Sequence, residues 1–243
     1  MANSAPSLHP RVVTDHAGNC SDRRGFGPPD SQLVGRVWLP LSEQHLVEMM
    51  TTGAVREVNG RLTYQYRKLE YAMKHVKQRR SAVDIGAHVG LWSMHLADLF
   101  ETVWAFEPNP VTADIWPWNV PNPNATLVRC ALGNRSGAVG LALQEGHTGH
   151  TRIAGDGPFP IDTLDSFDLK DVDLIKIDVE GYELDVVKGA EQTLRRCRPV
   201  VVVEQKGEDG RLGMEPDGAL HWLERLGMRS EFCIGGDHFM VWE

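Results

Sequence analysis

The stretch Ser81-Ala-Val-Asp-Ile-Gly-Ala-His-Val-Gly90, running on into Leu91-Trp-Ser-Met-His-Leu-Ala-Asp98, constrains this chain more than any other. Ala82 to Ile85 reads as a short buried strand, and from Leu91 the apolar spacing is that of an amphipathic helix. Asp84 closes the strand. Gly86 and Gly90 bracket a turn tight enough for a ligand to approach the backbone without meeting a Cβ. A doubly wound α/β sheet builds its nucleotide site in this way, at the carboxyl end of its first strand.

The turn also selects among nucleotides. A dinucleotide site carries G-x-G-x-x-G and cradles a pyrophosphate on a helix N-terminus. Here the spacing is Asp84-x-Gly86-x-His88-x-Gly90, with an acid at the strand end and a histidine where a middle glycine is expected. An acid repels a pyrophosphate but suits a ligand with a cationic end and no phosphate. S-adenosylmethionine, with its ammonium, sulfonium and ribose diol, fits that description. Glu107 follows Asp84 by 23 positions, at the end of a predicted strand Thr102 to Phe106. An acid about 20 residues past the glycine turn is placed to accept hydrogen bonds from a ribose diol.

Strands and helices alternate from Ser81 onward. After Pro108-Asn-Pro110 a helix is expected around Val111 to Trp118, then strands at Ala125 to Cys130 and Ala138 to Leu143. Gln144 to Pro160 reads as a loop. Asp173 to Asp178 is a further strand, followed by a helix with Val186, Val187, Ala190 and Leu194 on one face. The wholly apolar Pro199 to Val203 suits the centre of a parallel sheet. Asp217 is the expected cap of a helix carrying Leu220, Trp222, Leu223 and Leu226. Arg229 to Ile234 and His238 to Trp242 meet across Gly235-Gly-Asp237 as a hairpin.

Ahead of this body, residues 1–36 are rich in Pro, Gly, Asp, Arg and Ser and read as an irregular arm. Residues 37–80 read as a helical cap. Leu41-Ser42-Glu43 offers an apolar staple, an N-cap and a first-turn acid for one helix. A second is expected from Tyr66 to Gln78, with Arg67, Lys68, Lys74 and Lys77 on its outer face. Residues 1–80 hold 12 Lys+Arg against 7 Asp+Glu, and the remainder 13 against 26, within a formal net charge of -8. The basic helix is read as a solvated face, and nucleic acid as an unlikely partner. Trp92, Trp116, Trp118 and Trp222 are read as packing residues.

A chain of 243 residues, 42% hydrophobic, can bury one sizeable core. Cys20, Cys130, Cys197 and Cys233 are scattered with no C-x-x-C pair, as in reduced intracellular proteins. No apolar run reaches membrane-spanning length and no signal core opens the chain. A cytoplasmic location without a membrane span is expected; oligomeric state is left open.

In order along the chain, Val83-Asp-Ile-Gly-Ala-His-Val-Gly90, Ala105-Phe-Glu-Pro-Asn-Pro110, Ala131-Leu-Gly133, Ile161-Asp-Thr-Leu-Asp165 and Ile175-Lys-Ile-Asp-Val-Glu-Gly-Tyr-Glu183 resemble the motifs of FkbM-type S-adenosylmethionine-dependent methyltransferases. The last is the most specific, and the set covers about residues 81–205. The resemblance implies an α/β, Rossmann-like class I methyltransferase fold. Its sheet has seven strands, mostly parallel, with an antiparallel C-terminal hairpin, and occupies residues 81–243. It also implies S-adenosyl-L-methionine as cofactor. Asp84, Gly86, Ala87, His88 and Gly90 would lie along its methionine side, and Glu107 would hold the ribose. Pro108, Asn109, Cys130, Ala131 and Leu132 would wall the adenine. Cys130 stands where the family usually has an acid or small polar group.

By the same resemblance, Asp178 and Glu180 at the close of the fourth strand would face the methyl group. A carboxylate there can bind the methionine ammonium, orient an acceptor hydroxyl or act as its base. His147 and His150, in a polar loop, are substrate-side base candidates, since imidazole titrates in the right range. Lys176 is read as structural, pairing with a neighbouring acid. Asp178 with Glu204 is the nearest approach to a metal pair. The Asp-Asn that accompanies such a pair in catechol-type enzymes is missing after the fifth strand, so no metal is expected. The resulting expectation is O-methylation of a hydroxyl on a sugar, glycan or small metabolite. The rivals are an N-methyltransferase of the same fold, a non-catalytic cofactor-binding module and an NAD-dependent oxidoreductase. The Asn/Asp-Pro-Pro-aromatic turn of amino-directed DNA enzymes is replaced here by Asp178-Val-Glu-Gly181.

Overall fold

The computed structural model describes residues 27–53, 55–205 and 217–243. Cys20 and the expected arm up to residue 26 lie outside them. Seven strands form one sheet: β1 (Ser81–Ile85), β2 (Thr102–Phe106), β3 (Ala125–Val128), β4 (Val172–Ile177), β5 (Val200–Glu204), β6 (Met228–Ile234) and β7 (Asp237–Trp242). The spatial order is β3-β2-β1-β4-β5-β7-β6. Strands β1 to β5 run parallel, and β7 enters antiparallel between β5 and β6. The order reverses between β1 and β4, where ligands of such sheets bind.

Alternation along each strand feeds two cores. Ala82, Leu174, Val200 and Val202 face one side, and Val83, Ile175, Val201 and Val203 the other. This is why β5 is apolar at every position before Glu204: both of its faces are covered. Each of those valines contributes about 1.5–3 kcal/mol by burial. The first core takes helices α1 (His45–Thr51), α2 (Tyr66–Ala72), α3 (Ser93–Leu99) and α4 (Pro110–Asn119). The second takes α5 (Glu183–Gly189), α6 (Glu191–Cys197) and α7 (Gly218–Arg225).

Several local expectations need correction. The segment before Ser81 is not purely helical, because two hairpins, Ser31–Val34 with Val37–Pro40 and Arg56–Val58 with Arg61–Thr63, share it with α1 and α2. The first of them also puts a strand inside the expected irregular arm. Its Val37 and Leu39 pack into the same core as the sheet, and Asn119 of α4 bonds both backbone groups of Trp38. Helix α2 stops at Ala72 rather than Gln78. Lys68 does not lie on a solvated face: its ammonium pairs with the buried Asp237. Gly140 divides the expected strand Ala138 to Leu143 into Gly137–Val139 and Leu141–Ala142. The expected loop Gln144 to Pro160 holds a one-turn helix Thr148–His150 and a short strand Arg152–Ile153, and ends in another, Phe159–Asp162. Asp217 occupies the cap position of α7, but its side chain makes no capping hydrogen bond. Trp92 and Trp116 are buried as expected, whereas Trp118 is exposed.

Candidate active site

The carboxyl ends of β1 and β4 meet through a backbone hydrogen bond. The Asp178 N–H donates to the Ile85 carbonyl at 3.1 Å, and Gly86 follows at φ +74°. A Cβ on Gly86 would lie 1.9 Å from the Asp178 carbonyl oxygen, so no other residue fits without moving β4. His88 and Gly90 take φ of +52° and +95°, making three left-handed residues in one turn. For a histidine this conformation is uncommon and marks a constrained site.

Glu107, 5% exposed, holds that turn to the end of β2. Its Oε2 accepts from the His88 backbone N–H at 2.8 Å and its Oε1 from that of Asn109 at 2.9 Å. Burial pushes its carboxyl upward, against the pull of these two donors. The Thr112 side chain also bonds this carboxylate, and with about four lone-pair sites on its two oxygens the carboxylate keeps acceptor capacity for a ligand hydroxyl.

Asp84 is fully buried at the end of β1. Its Oδ2 accepts from Ser93 Oγ at 2.6 Å, and its Oδ1 lies 3.5 Å from the Lys176 ammonium. Lys176 reaches across from β4, donates to the Gly86 carbonyl at 2.8 Å and stands 3.6 Å from Asp178. Burial alone would lower the Lys176 pKa, but Asp178, Asp84, Glu204 and Asp237 together hold it above its usual range. Burial pushes the Asp84 carboxyl up against Lys176 and Ser93. The sheet end is therefore a buried cation ringed by carboxylates, a setting that favours a cationic ligand over a phosphate.

Beside it lies a cleft that is open to solvent on one side. Of the residues expected around the cofactor, Gly86, His88, Glu107, Pro108, Cys130, Ala131, Leu132 and Asp178 line it. Asp84, Ala87, Gly90 and Asn109 do not line it and act from behind. Ala87 is buried with its N–H on the Phe106 carbonyl. A Cβ on Gly90 would press on Val120 and Trp116. Asn109 caps α4 through Val111 N–H at 3.1 Å and donates to Thr151 at 3.0 Å. The Cys130 thiol, pushed up to about 12 by burial, is a wall and not a nucleophile.

The other catalytic candidates, Glu180, His147 and His150, are not among the residues that line the cleft; Glu180 stands near Asp178 and His150 near Glu180. Glu180 sits at φ +55° in a turn braced by Glu183, which accepts from the Val179 and Gly181 N–H groups at 3.2 and 3.0 Å. His150 Nε2 is 4.0 Å from Glu180, while His147 stacks between His150 and His45, at ring distances of 3.6 and 4.3 Å. Asp178, Glu180 and Glu204 can each point an oxygen within 4.8 Å of the others. That grouping has a cation's dimensions, and the Lys176 ammonium already stands against one of its members.

Sequence reasoning missed the cover of the cleft. Leu141, Thr148, Gly149, Thr151 and Ile153 all line it, and the loop was read for its histidines alone. The signal available was the run of small residues Thr148-Gly149 and Thr151, which lets a backbone lie close over a ligand. Glu183 was legible too, as the last residue of the quoted Ile175 to Glu183 motif.

A seven-stranded sheet in this order, with a reversed seventh strand and carboxylates at the ends of β1, β2 and β4, is the class I methyltransferase fold. Residues 84–230, more than half of the chain, match the methyltransferase FkbM domain, and the chain belongs to that family. Among its relatives is the hexuronic acid methyltransferase AglP of Haloferax volcanii, 27% identical over 135 residues, covering 52% of this chain and 56% of the relative. Another is methyltransferase 1 of Beauveria bassiana, 26% identical over 156 residues, covering 50% of this chain and 63% of that one. The chain thus spans little more than half the length of the curated relatives it matches. The crystal structure of methyltransferase FkbM from Methylobacillus flagellatus KT aligns at a TM-score of 0.45 and 17% identity, over 68% of this chain and 44% of that one.

Proposed function

We propose that this protein transfers a methyl group from S-adenosyl-L-methionine to a hydroxyl of a sugar, glycan or small metabolite. The observation that carries the reading is Glu107, fixed at the end of β2 by two backbone donors and facing the same cleft as Asp178 at the end of β4. The residues fit the cofactor's chemistry. Glu107 offers two acceptors to a diol, Pro108 and the Ala131-Leu132 pair offer apolar walls to a flat base, and the acidic sheet end suits an ammonium and a sulfonium. The cofactor supplies a methyl already activated on sulfur.

What remains for the protein is placement and a proton. Asp178, at the junction of cleft and acidic group, orients the ammonium or the acceptor hydroxyl. His150, with Glu180 beside it, takes the acceptor's proton, with His147 stacked behind as support. Holding the oxygen in line with the methyl lowers most of the remaining barrier. A sugar-type acceptor is supported by the name of the Haloferax volcanii relative. Oxygen rather than nitrogen attack is supported by Asp178-Val-Glu-Gly181 in place of a proline-proline-aromatic turn. No metal step is included. Among the described residues no helix is long and apolar enough to cross a membrane. We also propose residues 81–243 as the catalytic domain and the described segment from residue 27 to residue 80 as its cap, in a cytoplasmic protein, on the scattered cysteines.

The test is transfer of labelled methyl across neutral sugars, hexuronic acid glycans and small polyols, with Asp178→Ala alongside. Label on a carbohydrate oxygen, lost in the variant, is the expected result. Label on an amino group points to the nitrogen-directed rival, and binding of S-adenosylhomocysteine with no turnover on any acceptor to the non-catalytic one. Tight NAD binding with none for S-adenosylhomocysteine sinks the reading.

A further inference from the structure

Glu43 precedes the stretch that matches the family's domain, residues 84–230, and is 1% exposed. The sequence offered it as a first-turn acid behind a Ser42 cap; instead its own Oε1 accepts the Leu46 N–H at 2.9 Å. Its Oε2 turns away from the helix and accepts both the backbone N–H of Thr148 at 2.8 Å and the Thr148 hydroxyl at 2.6 Å. The Thr148 Oγ1 lies in turn 2.7 Å from His88 Nε2.

The direction of this relay follows from donor counting. Burial opposes ionisation of Glu43, but the bonds from Thr148 and Leu46 hold its carboxyl below the usual range, so it only accepts. Thr148 has a single hydroxyl hydrogen and gives it to Glu43. Its oxygen can then only accept, so the hydrogen between Thr148 and His88 belongs to His88 Nε2. The ring is held neutral by burial, with its pKa lowered to about 4, which leaves Nδ1 as a bare acceptor. The same His88 gives its backbone N–H to Glu107 and lines the cleft.

We propose that Glu43 is a positioning residue of the cofactor site: through Thr148 it fixes His88 as the Nε2–H tautomer, so that the ring offers Nδ1 as a hydrogen-bond acceptor to the cofactor bound between Gly86 and Glu107. This rests on the cleft's assignment to S-adenosylmethionine. It gives the segment ahead of that matching stretch a part in ligand binding, and it couples the loop over the cleft to the glycine turn beneath it. A second tie has the same ends: the Gln44 and His45 N–H groups donate to the Gly146 carbonyl at 3.0 and 3.3 Å.

The experiment is long-range nitrogen-15 NMR of the histidine rings, with His88 assigned by its loss in His88→Asn, on the wild type, Thr148→Val, Thr148→Ser and Glu43→Gln. Calorimetry with S-adenosylhomocysteine runs beside it. In the free wild type, Nε2 is expected in the protonated and Nδ1 in the unprotonated shift range, with Nδ1 moving on ligand addition. Thr148→Val is expected to mix the tautomers and weaken binding roughly five- to tenfold, the loss of about one neutral hydrogen bond. Thr148→Ser restores both, and Glu43→Gln falls between. A wild-type His88 carrying its hydrogen on Nδ1, or equal binding by the valine and serine variants, overturns the proposal. Failure of the wild type to bind S-adenosylhomocysteine overturns the cofactor reading and the role of Nδ1 with it; the tautomer, read in the free protein, reports on the relay separately.

Discussion

The Lys176 ammonium lies 3.5 Å from the Asp84 carboxylate across the β1–β4 pair, at the point where the sheet reverses its strand order. Both side chains are almost wholly withdrawn from water, with 6% and 0% of their surface exposed. Lys176 is opposite Asp84 in the strand register and ties the glycine turn to β4 through the Gly86 carbonyl. The pair is the foundation under the cleft rather than part of its lining.

Lys176→Met strands Asp84 as a buried carboxylate facing Asp178. A loss of roughly 3–5 kcal/mol in urea unfolding is expected, since removing one partner of a buried pair leaves an uncompensated charge. The double variant Lys176→Met with Asp84→Asn recovers a large part of that loss. Equal losses in the single and double variants would show the two groups to be uncoupled.

Gly86→Ala forces a Cβ against the Asp178 carbonyl at a φ of +74°. Both the contact and the conformation are unfavourable, and a loss of roughly 2–4 kcal/mol is expected. Thermal unfolding of the variant checks it. An unchanged Tm contradicts the tight β1–β4 junction.

Glu107→Gln keeps the shape but replaces one acceptor oxygen by an amide that faces a backbone N–H. S-adenosylhomocysteine affinity is expected to fall roughly 10- to 100-fold, the value of one or two charge-assisted bonds. Far-ultraviolet circular dichroism should be unchanged. Calorimetry with the native affinity retained removes Glu107 from the ribose site.

His95 is buried on α3 with Nε2 lacking a partner, its ring edge-on to Tyr66 at 4.9 Å, and burial lowers its pKa to about 4. The unfolded chain takes up a proton here below the ordinary histidine pKa of about 6.5, whereas the native state refuses it until about 4. Stability attributable to this group is present above that window and is lost as pH falls through it. His95→Phe removes the unsatisfied nitrogen and is expected to add about 1 kcal/mol at neutral pH. It is also expected to flatten the fall in Tm that this group predicts for the wild type as pH drops from about 6.5 to about 4. A fall as steep in the variant as in the wild type contradicts the assignment.

The framework was legible because its signals are local. The buried run of β1, the apolar β5 and the Gly235-Gly-Asp237 turn each dictate one element with little help from the rest of the chain. Helix α2 shows where that stops: Met73 and Val76 keep the helical spacing to Gln78, yet the helix ends at Ala72 because the chain must turn to enter β1. Lys68 looked like one more solvated cation, and only the position of β7 gives it Asp237 to pair with.

The turn from Asp84 to Gly90 and the acid at Glu107 were set by the sequence itself, since residue type and spacing suffice to place an acid, two glycines and a second acid at adjacent strand ends. The family resemblance followed from the same runs. Tertiary structure alone decided which of those groups meet a ligand and which support it: Asp84 went behind the cleft with Lys176, and Asn109 became a cap. It also brought Glu43, Thr148 and His88, residues separated by up to 105 positions, into one line of hydrogen bonds. Spacing along a chain carries no record of contacts between a helix start, a loop and a turn, because these depend on how the elements pack and not on any period within them.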